Sequence, residues 1–225
     1  MHIGCLCLVF VKKVFLDLLF NCFPHKILNI MNFIQIKEKL KNKTVGIAGC
    51  GGLGSNCAVA LARVGVGKLI IADFDVVEES NLNRQYYFFD QIGKEKAQCL
   101  KENIKLINPL VKVVAHDIVL DSNNIIDVYR ECDVIVEAFD KAEMKKLIIE
   151  AIIGDLPLTP LVVGLGMAGW GDNNSIHSRQ SDNLYICGDE VKEISEELPP
   201  LAPRVGIVAN MQANTVLEII LNSTK

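Results

Sequence analysis

No Cys-x-x-Cys pair occurs in this chain, cations do not outnumber acids, and no apolar run reaches the roughly 20 residues that a membrane-spanning helix needs. Each absence removes a class of function. Eight cysteines, at 5, 7, 22, 50, 57, 99, 132 and 187, have the spacing of neither a zinc site nor a disulfide framework, so no zinc site is expected. Thiols scattered through apolar runs behave as small buried hydrophobes and suit a reducing compartment, which makes the expected location cytoplasmic. With 23 Lys and Arg against 27 Asp and Glu, the net charge of −4 argues against a broad polyanion-binding face, and nucleic acid is not an expected partner. The apolar segment from Met1 to Ile30 is broken by Lys12, Lys13 and Asp17 and followed by Phe23-Pro24-His25, the pattern of neither a membrane span nor a signal peptide. Residues 1–30 are expected to be a mis-assigned start ahead of a true initiator at Met31, or a disordered or amphipathic extension. Residues 31–225 are expected to form one domain with one substantial core.

What is present is an alternation of strand and helix. Phe33, Ile36 and Leu40 recur at helical spacing and predict a short helix ending near Asn42. Thr44 to Ala48 reads as a buried strand, Gly49 to Gly54 as a glycine turn and Ser55 to Val64 as a helix. Further strands are predicted at Lys68 to Ala72, Val111 to Ala115, Val134 to Glu137 and Leu161 to Val163. Helices are predicted at Lys94 to Ile107, Lys141 to Ile153 and Val205 to Leu221. Such alternation predicts a Rossmann-like α/β fold, a mostly parallel sheet with helices on both faces. The stretch from Gly164 to Asn174 reads as a glycine-rich loop, and the run from Glu193 to Pro203, acidic and then broken by prolines, as a mobile or partner-facing segment.

Gly49-Cys50-Gly51-Gly52-Leu53-Gly54 matches G-x-G-x-x-G between a strand and a helix. There the absence of side chains lets backbone approach a phosphate, and the helix N-terminus favours its charge. Asp73 closes the next strand, where a carboxylate accepts hydrogen bonds from ribose hydroxyls. The two features predict an adenine nucleotide without choosing between ATP and a nicotinamide cofactor.

The following segment decides. Asp73-Phe74-Asp75-x-Val77-x-x-Ser80-Asn81-Leu82-Asn83-Arg84-Gln85 resembles the nucleotide-binding signature of the ThiF/MoeB family of ubiquitin-activating-enzyme-like adenylyltransferases. Gly93-Lys94-Glu95-Lys96-Ala97, Ile107-Asn108-Pro109, Asp140 after its strand and Gln212-Ala213-Asn214 are similar to further family elements, so the resemblance runs from Thr44 to Leu221. It implies ATP and Mg²⁺ as cofactors, with Gly49, Gly51, Gly52, Gly54, Asp73, Asp75, Asn81, Arg84 and Lys96 around the nucleotide. Attack of a carboxylate on the α-phosphate gathers negative charge on phosphoryl oxygens, which Arg84 and Lys96 would meet; Asp140 would hold Mg²⁺. Arg84, Lys96 and Asp140 are thus the implied catalytic residues. Asp75 reads equally as a turn cap or a pocket residue, Asp140 also suits a helix N-cap, and Lys94 and Arg63 read as solvated surface.

Four departures qualify the resemblance. No arginine precedes Arg63 to reach across a dimer, the zinc-binding cysteine pairs are missing, Lys141 stands where relatives carry asparagine, and there is no catalytic cysteine loop. Cys187 is the one cysteine in the region where a sulfur relay would lie, yet it sits in an apolar run without a nearby cation. Gly166-Met167-Ala168-Gly169-Trp170-Gly171 and Ala202-Pro203-Arg204-Val205 resemble the short ThiF-like branch, whose partner is the ubiquitin-like sulfur carrier ThiS of thiamine (thiazole) biosynthesis. A homodimer is usual in the family. Carrier contacts are expected along Gly164 to Asn174 and near Glu193. The alternatives are adenylation of a molybdopterin-synthase carrier or a tRNA base, an NAD-dependent oxidoreductase, and a non-catalytic nucleotide-binding partner.

Overall fold

The computed structural model describes residues 31–223, and the expectations for residues 1–30 lie outside them. The first helix, α1 (Phe33–Leu40), starts where Asn32 and Gln35 satisfy each other's backbone N–H, at 3.0 and 2.8 Å. There follow β1 (Thr44–Ala48), α2 (Gly52–Val64), β2 (Lys68–Ala72), α3 (Lys96–Ile107), β3 (Lys112–His116), α4 (Ile125–Tyr129), β4 (Val134–Glu137), α5 (Ala142–Asp155), β5 (Leu161–Gly164), β6 (His177–Ser181), β7 (Leu184–Gly188) and α6 (Ala202–Asn222).

The strands make one sheet of order β3-β2-β1-β4-β5-β7-β6, parallel throughout except for β6, which runs antiparallel to β7. Because successive side chains of a strand face opposite ways, an apolar run buried on both faces feeds two cores. Val45, Ile47, Leu69 and Ile71 pack with Leu61 of α2, Leu100 of α3 and Val208 and Val216 of α6. Ala48, Ile70, Ala72 and Ile135 pack on the other face with Tyr129 of α4 and Ile148 and Ile152 of α5. The fold expected from the alternation of elements is the fold observed, and among the described residues no helix is long and apolar enough to cross a membrane.

A hairpin and a short helix are not legible in the sequence. The β6–β7 hairpin starts with His-Ser-Arg-Gln-Ser, exposed at every position, so it carries no apolar alternation. At five residues α4 is too short to develop an amphipathic period. Helix α3 begins at Lys96 instead of Lys94 because Gly93, at φ +82°, and Lys94 form a turn that returns to Gln91. The chain builds β1, β2 and β3 outward on one side and then crosses to place β4 on the other side of β1. That reversal opens a crevice at the carboxyl ends of β1 and β4, where open α/β sheets bind ligands.

Candidate functional site

A cavity of about 730 Å³ lies at these strand ends. Its floor is the glycine turn after β1. Gly49 takes φ +94°, a left-handed conformation that strains other residues, and a Cβ on Gly54 would sit 1.9 Å from the Gly49 carbonyl oxygen, so the turn closes only on bare backbone. Ser55 fixes the turn from within, donating to Gly51 O at 2.7 Å and accepting from the Tyr86 N–H at 3.0 Å. Gly49, Gly51 and Gly52 line the cavity, whereas Gly54 is buried behind them and serves packing.

Asp73 follows β2, and its two carboxylate oxygens accept from the N–H groups of Cys50, at 2.6 Å, and Asp75, at 2.8 Å. Burial pushes its pKa above the ordinary value, with those two N–H bonds and Lys96 pulling the other way. The Lys96 ammonium is almost wholly buried and meets Asp75 at 2.9 Å, while Asp75 remains half exposed on the cavity wall. Asp75 lies in the pocket, its carboxylate paired with the Lys96 side chain and its main-chain carbonyl accepting from the Lys96 N–H, whereas the side chain that caps this turn is that of Asp73, which accepts from the Asp75 N–H. Tyr87 braces this corner from behind, donating to the Cys50 carbonyl at 2.7 Å. Lys94, two residues earlier, is exposed.

Arg84 reaches the cavity from the segment after β2, its guanidinium bonded to Ser80 O at 3.0 Å and Asn83 Oδ1 at 2.8 Å. Partial burial draws its pKa below the ordinary arginine value, and the nearby Asp140 carboxylate opposes that shift. Asn56 of α2, which has no distinguishing sequence signal, ties this segment down by donating to Arg84 O at 2.9 Å. Asn81 is placed differently from its neighbours: it is buried, its Oδ1 accepts from the Glu78 N–H at 3.1 Å, and Asn83 rather than Asn81 lines the cavity. Its work here is to fold the short 3-10 turn Glu79–Asn81 that presents Arg84.

Asp140 lines the opposite wall, in the loop between β4 and α5 with Phe139 and Lys141. It is not the cap of α5, since Lys141 occupies that position and makes no side-chain cap bond. Beneath the loop lies a buried ion pair between β4 and α5, for which the sequence carries no local signal. Lys145 Nζ is 3.0 Å from both oxygens of Glu137 and 2.8 Å from Gly164 O. Ile118, Val119 and Leu120 add an apolar wall across from the glycine turn, and Met167, Ile194, Pro199 and Pro200 form a roof from the two loops that flank β6 and β7. Arg204 holds that roof. Its guanidinium is buried against the Asp189 carboxylate and also donates to Gly171 O and Ser175 Oγ.

Cys187 lies apart, fully buried in β7 with Sγ 3.5 Å from Thr215 Oγ1, and burial pushes its thiol up. A thiol so placed is inert filler. The described cysteines are all free and buried, and no cluster of three or more His, Cys, Asp or Glu among the described residues is arranged to hold a metal ion.

The cavity therefore joins an apolar wall and a ribose-competent carboxylate to a floor of glycine backbone, with Arg84, Lys96 and the Asp140 carboxylate around it. That is the chemistry of a site for a nucleoside polyphosphate. Adenylyltransferase and sulfurtransferase MOCS3 of Caenorhabditis briggsae is 34% identical over 191 residues, covering 81% of this chain and 47% of that protein. The sulfur carrier protein adenylyltransferase of Thermus thermophilus is 36% identical over 129 residues, covering 57% of this chain and 47% of that protein. The chain thus spans about half the length of these curated relatives. Its fold matches E. coli tRNA N6-threonylcarbamoyladenosine dehydratase, solved in complex with AMP, with a TM-score of 0.75 over 82% of this chain and 88% of that one at 20% identity. Residues 28–225 match the profile of the ThiF family, and the chain belongs to that family.

Proposed function

We propose that this protein is an ATP-dependent adenylyltransferase that activates the C-terminal glycine carboxylate of a ubiquitin-like sulfur carrier, of the ThiS type used in thiamine (thiazole) biosynthesis. The observation that carries the reading is the convergence of Asp73, Arg84, Lys96 and Asp140 on one cavity above a backbone N–H turn. In the reaction a carboxylate oxygen of the carrier forms a bond to the α-phosphorus of ATP. The bond from that phosphorus to the bridging oxygen breaks, and pyrophosphate leaves with the electron pair.

Asp73 accepts from the ribose hydroxyls and the glycine turn presents N–H groups to the phosphates. Arg84 meets the charge growing on phosphoryl oxygens with a planar fork of donors, and Lys96, released from Asp75, adds a point charge. The carboxylate of Asp140 beside phosphate-binding cations is a donor that suits Mg²⁺, a hard ion that takes one or two carboxylates plus phosphate oxygens. When bound there, Mg²⁺ supplies charge neutralisation at the leaving pyrophosphate. A chain end of glycines fits the reaction because residues without side chains pass through a narrow channel to the α-phosphate.

The protein is further proposed to work as a homodimer in the cytoplasm, where free thiols of the kind it buries persist. The names of the relatives, adenylyltransferases that act on sulfur carriers or are joined to sulfurtransferases, support the substrate class. The test is ATP–pyrophosphate exchange with a panel of Gly-Gly-ended carriers. Exchange is expected with a ThiS-type carrier above a molybdopterin-synthase carrier. Exchange with none of them sinks the reading, and preference for the second carrier reassigns the substrate.

A further inference from the structure

The buried ion pair beneath the Asp140 loop has no role in the chemistry derived above, and its placement calls for one. Glu137 ends β4 with its side chain 0% exposed, and Lys145, in the first turns of α5, is 13% exposed. Such a pair is a poor source of stability, because two apolar side chains of similar size serve as well or better. What it fixes is geometry. Lys145 grips both carboxylate oxygens and the Gly164 carbonyl, joining the ends of β4 and β5 to α5. Glu137 Oε1 also accepts from the Phe139 N–H at 2.6 Å, and its main-chain carbonyl accepts from Gln212 of α6 at 2.9 Å.

The loop from 138 to 141 is then held on both sides of Asp140. The Ala138 N–H donates to Ala48 O at the end of β1, and the Lys145 N–H donates to Lys141 O. Helix α5 has no side-chain cap to set its start, so the ion pair is the anchor that fixes where the helix, and with it the loop, begins. The loop residues Ala138, Phe139, Asp140 and Lys141 line the cavity, with Asp140 their one carboxylate, while Glu137 and Lys145 do not line it.

We propose that Glu137 and Lys145 are positioning residues that orient the Asp140 carboxylate for Mg²⁺ bound with the nucleotide. The inference deepens the adenylation reading and rests on it for the identity of the ligand. Its test uses the full chain and the double variant Glu137→Gln/Lys145→Met, which leaves no lone buried charge and keeps an acceptor for the Phe139 N–H. ATP binding is measured by calorimetry with and without Mg²⁺. Wild type is expected to bind ATP more tightly when Mg²⁺ is present. In the variant that gain should shrink by about tenfold or more while Mg²⁺-free affinity stays within about threefold, since displacing the support behind a metal ligand costs on the order of 10- to 100-fold in metal affinity. The unchanged Mg²⁺-free affinity reports an intact fold, and where the double variant fails to fold, Glu137→Asp, which keeps both charges but shortens the reach to Lys145, reads the same ratio. An unchanged Mg²⁺ gain in a folded variant overturns the proposal, as does a wild type that gains nothing from Mg²⁺. Loss of pyrophosphate exchange in wild type with a normal Mg²⁺ gain counts against the proposed function alone.

Discussion

Arg84 is the residue on which the chemistry leans most, because it is the one guanidinium among the described residues lining the cavity, and one terminal nitrogen holds it to Ser80 O and Asn83 Oδ1. Replacing it with alanine should slow ATP–pyrophosphate exchange by on the order of 10² to 10³, the loss that follows removal of one preorganised donor at a developing charge. A change of less than about threefold would return Arg84 to the ordinary surface cations. At this scale the sequence was legible where a side chain belongs to a local string: Asp73, Asp75, Arg84, Lys96 and Asp140 were all named from their neighbours, and all line the cavity. Glu137 and Lys145 were not, because nothing eight residues apart on a strand and a helix signals that the two touch. Asn81 was placed in the pocket on the strength of its string, yet its side chain turns inward to bond Glu78 two residues before Arg84's own support at Ser80. A motif names its residues without saying which of them face the ligand.

Elements carry the roof of the site. The buried Asp189–Arg204 pair, with the Arg204 bonds to Gly171 O and Ser175 Oγ, fastens the loops before β6 and after β7 to the first turn of α6. Burial alone would raise the Asp189 pKa, but the N–H groups of Lys192 and Val191 and the Arg204 guanidinium outweigh it and hold the carboxyl below its ordinary value. A carboxyl depressed in the folded state binds fewer protons than in the unfolded state. Its contribution to stability is therefore complete above the unfolded pKa of about 3.9 and is lost as pH falls through the lower folded value. Thermal unfolding followed from pH 7 to pH 2 should show a wild-type melting temperature that drops steeply below pH about 4. Asp189→Asn should be less stable at pH 7 by roughly 3 to 5 kcal/mol, since it leaves a buried guanidinium without its counter-ion, and should have a flatter acid limb. Equal acid limbs in the two proteins would remove Asp189 from the account. The sequence marked this region as a loop from its glycines and prolines but missed the hairpin between, whose outer strand is exposed and polar on both faces. Hydrophobic period reports burial, and an edge strand that buries nothing is silent to it.

For the whole molecule the question is which nucleotide the fold is built to hold. A glycine turn followed by a carboxylate at the end of the next strand is shared by redox and ATP-using enzymes, so neither the sheet order nor the stretch from β1 to Asp73 decides it. The deciding groups arrive from distant stretches of chain: Arg84 from the excursion between β2 and α3, Lys96 from the start of α3, Asp140 from the far side of β1. They meet only because the sheet reverses its order there. Three groups suited to a metal-bound triphosphate predict a ligand preference that shows in global stability, since a ligand that binds only the folded state adds RT ln(1 + [L]/Kd). At a concentration 100 times Kd that is about 2.7 kcal/mol. For a domain of this size the melting temperature should then rise by roughly 5 to 10 °C with Mg²⁺-ATP. NADH at the same concentration should leave it unchanged, because a diphosphate bridge leaves the third phosphate's counter-charges unmatched in the cavity. A larger rise with NADH than with ATP would assign the cations to a redox cofactor and take the adenylation chemistry down with them. Equal rises would mean that the glycine turn and Asp73 bind the shared adenosine diphosphate half, and that Arg84, Lys96 and Asp140 contribute nothing to choosing the ligand.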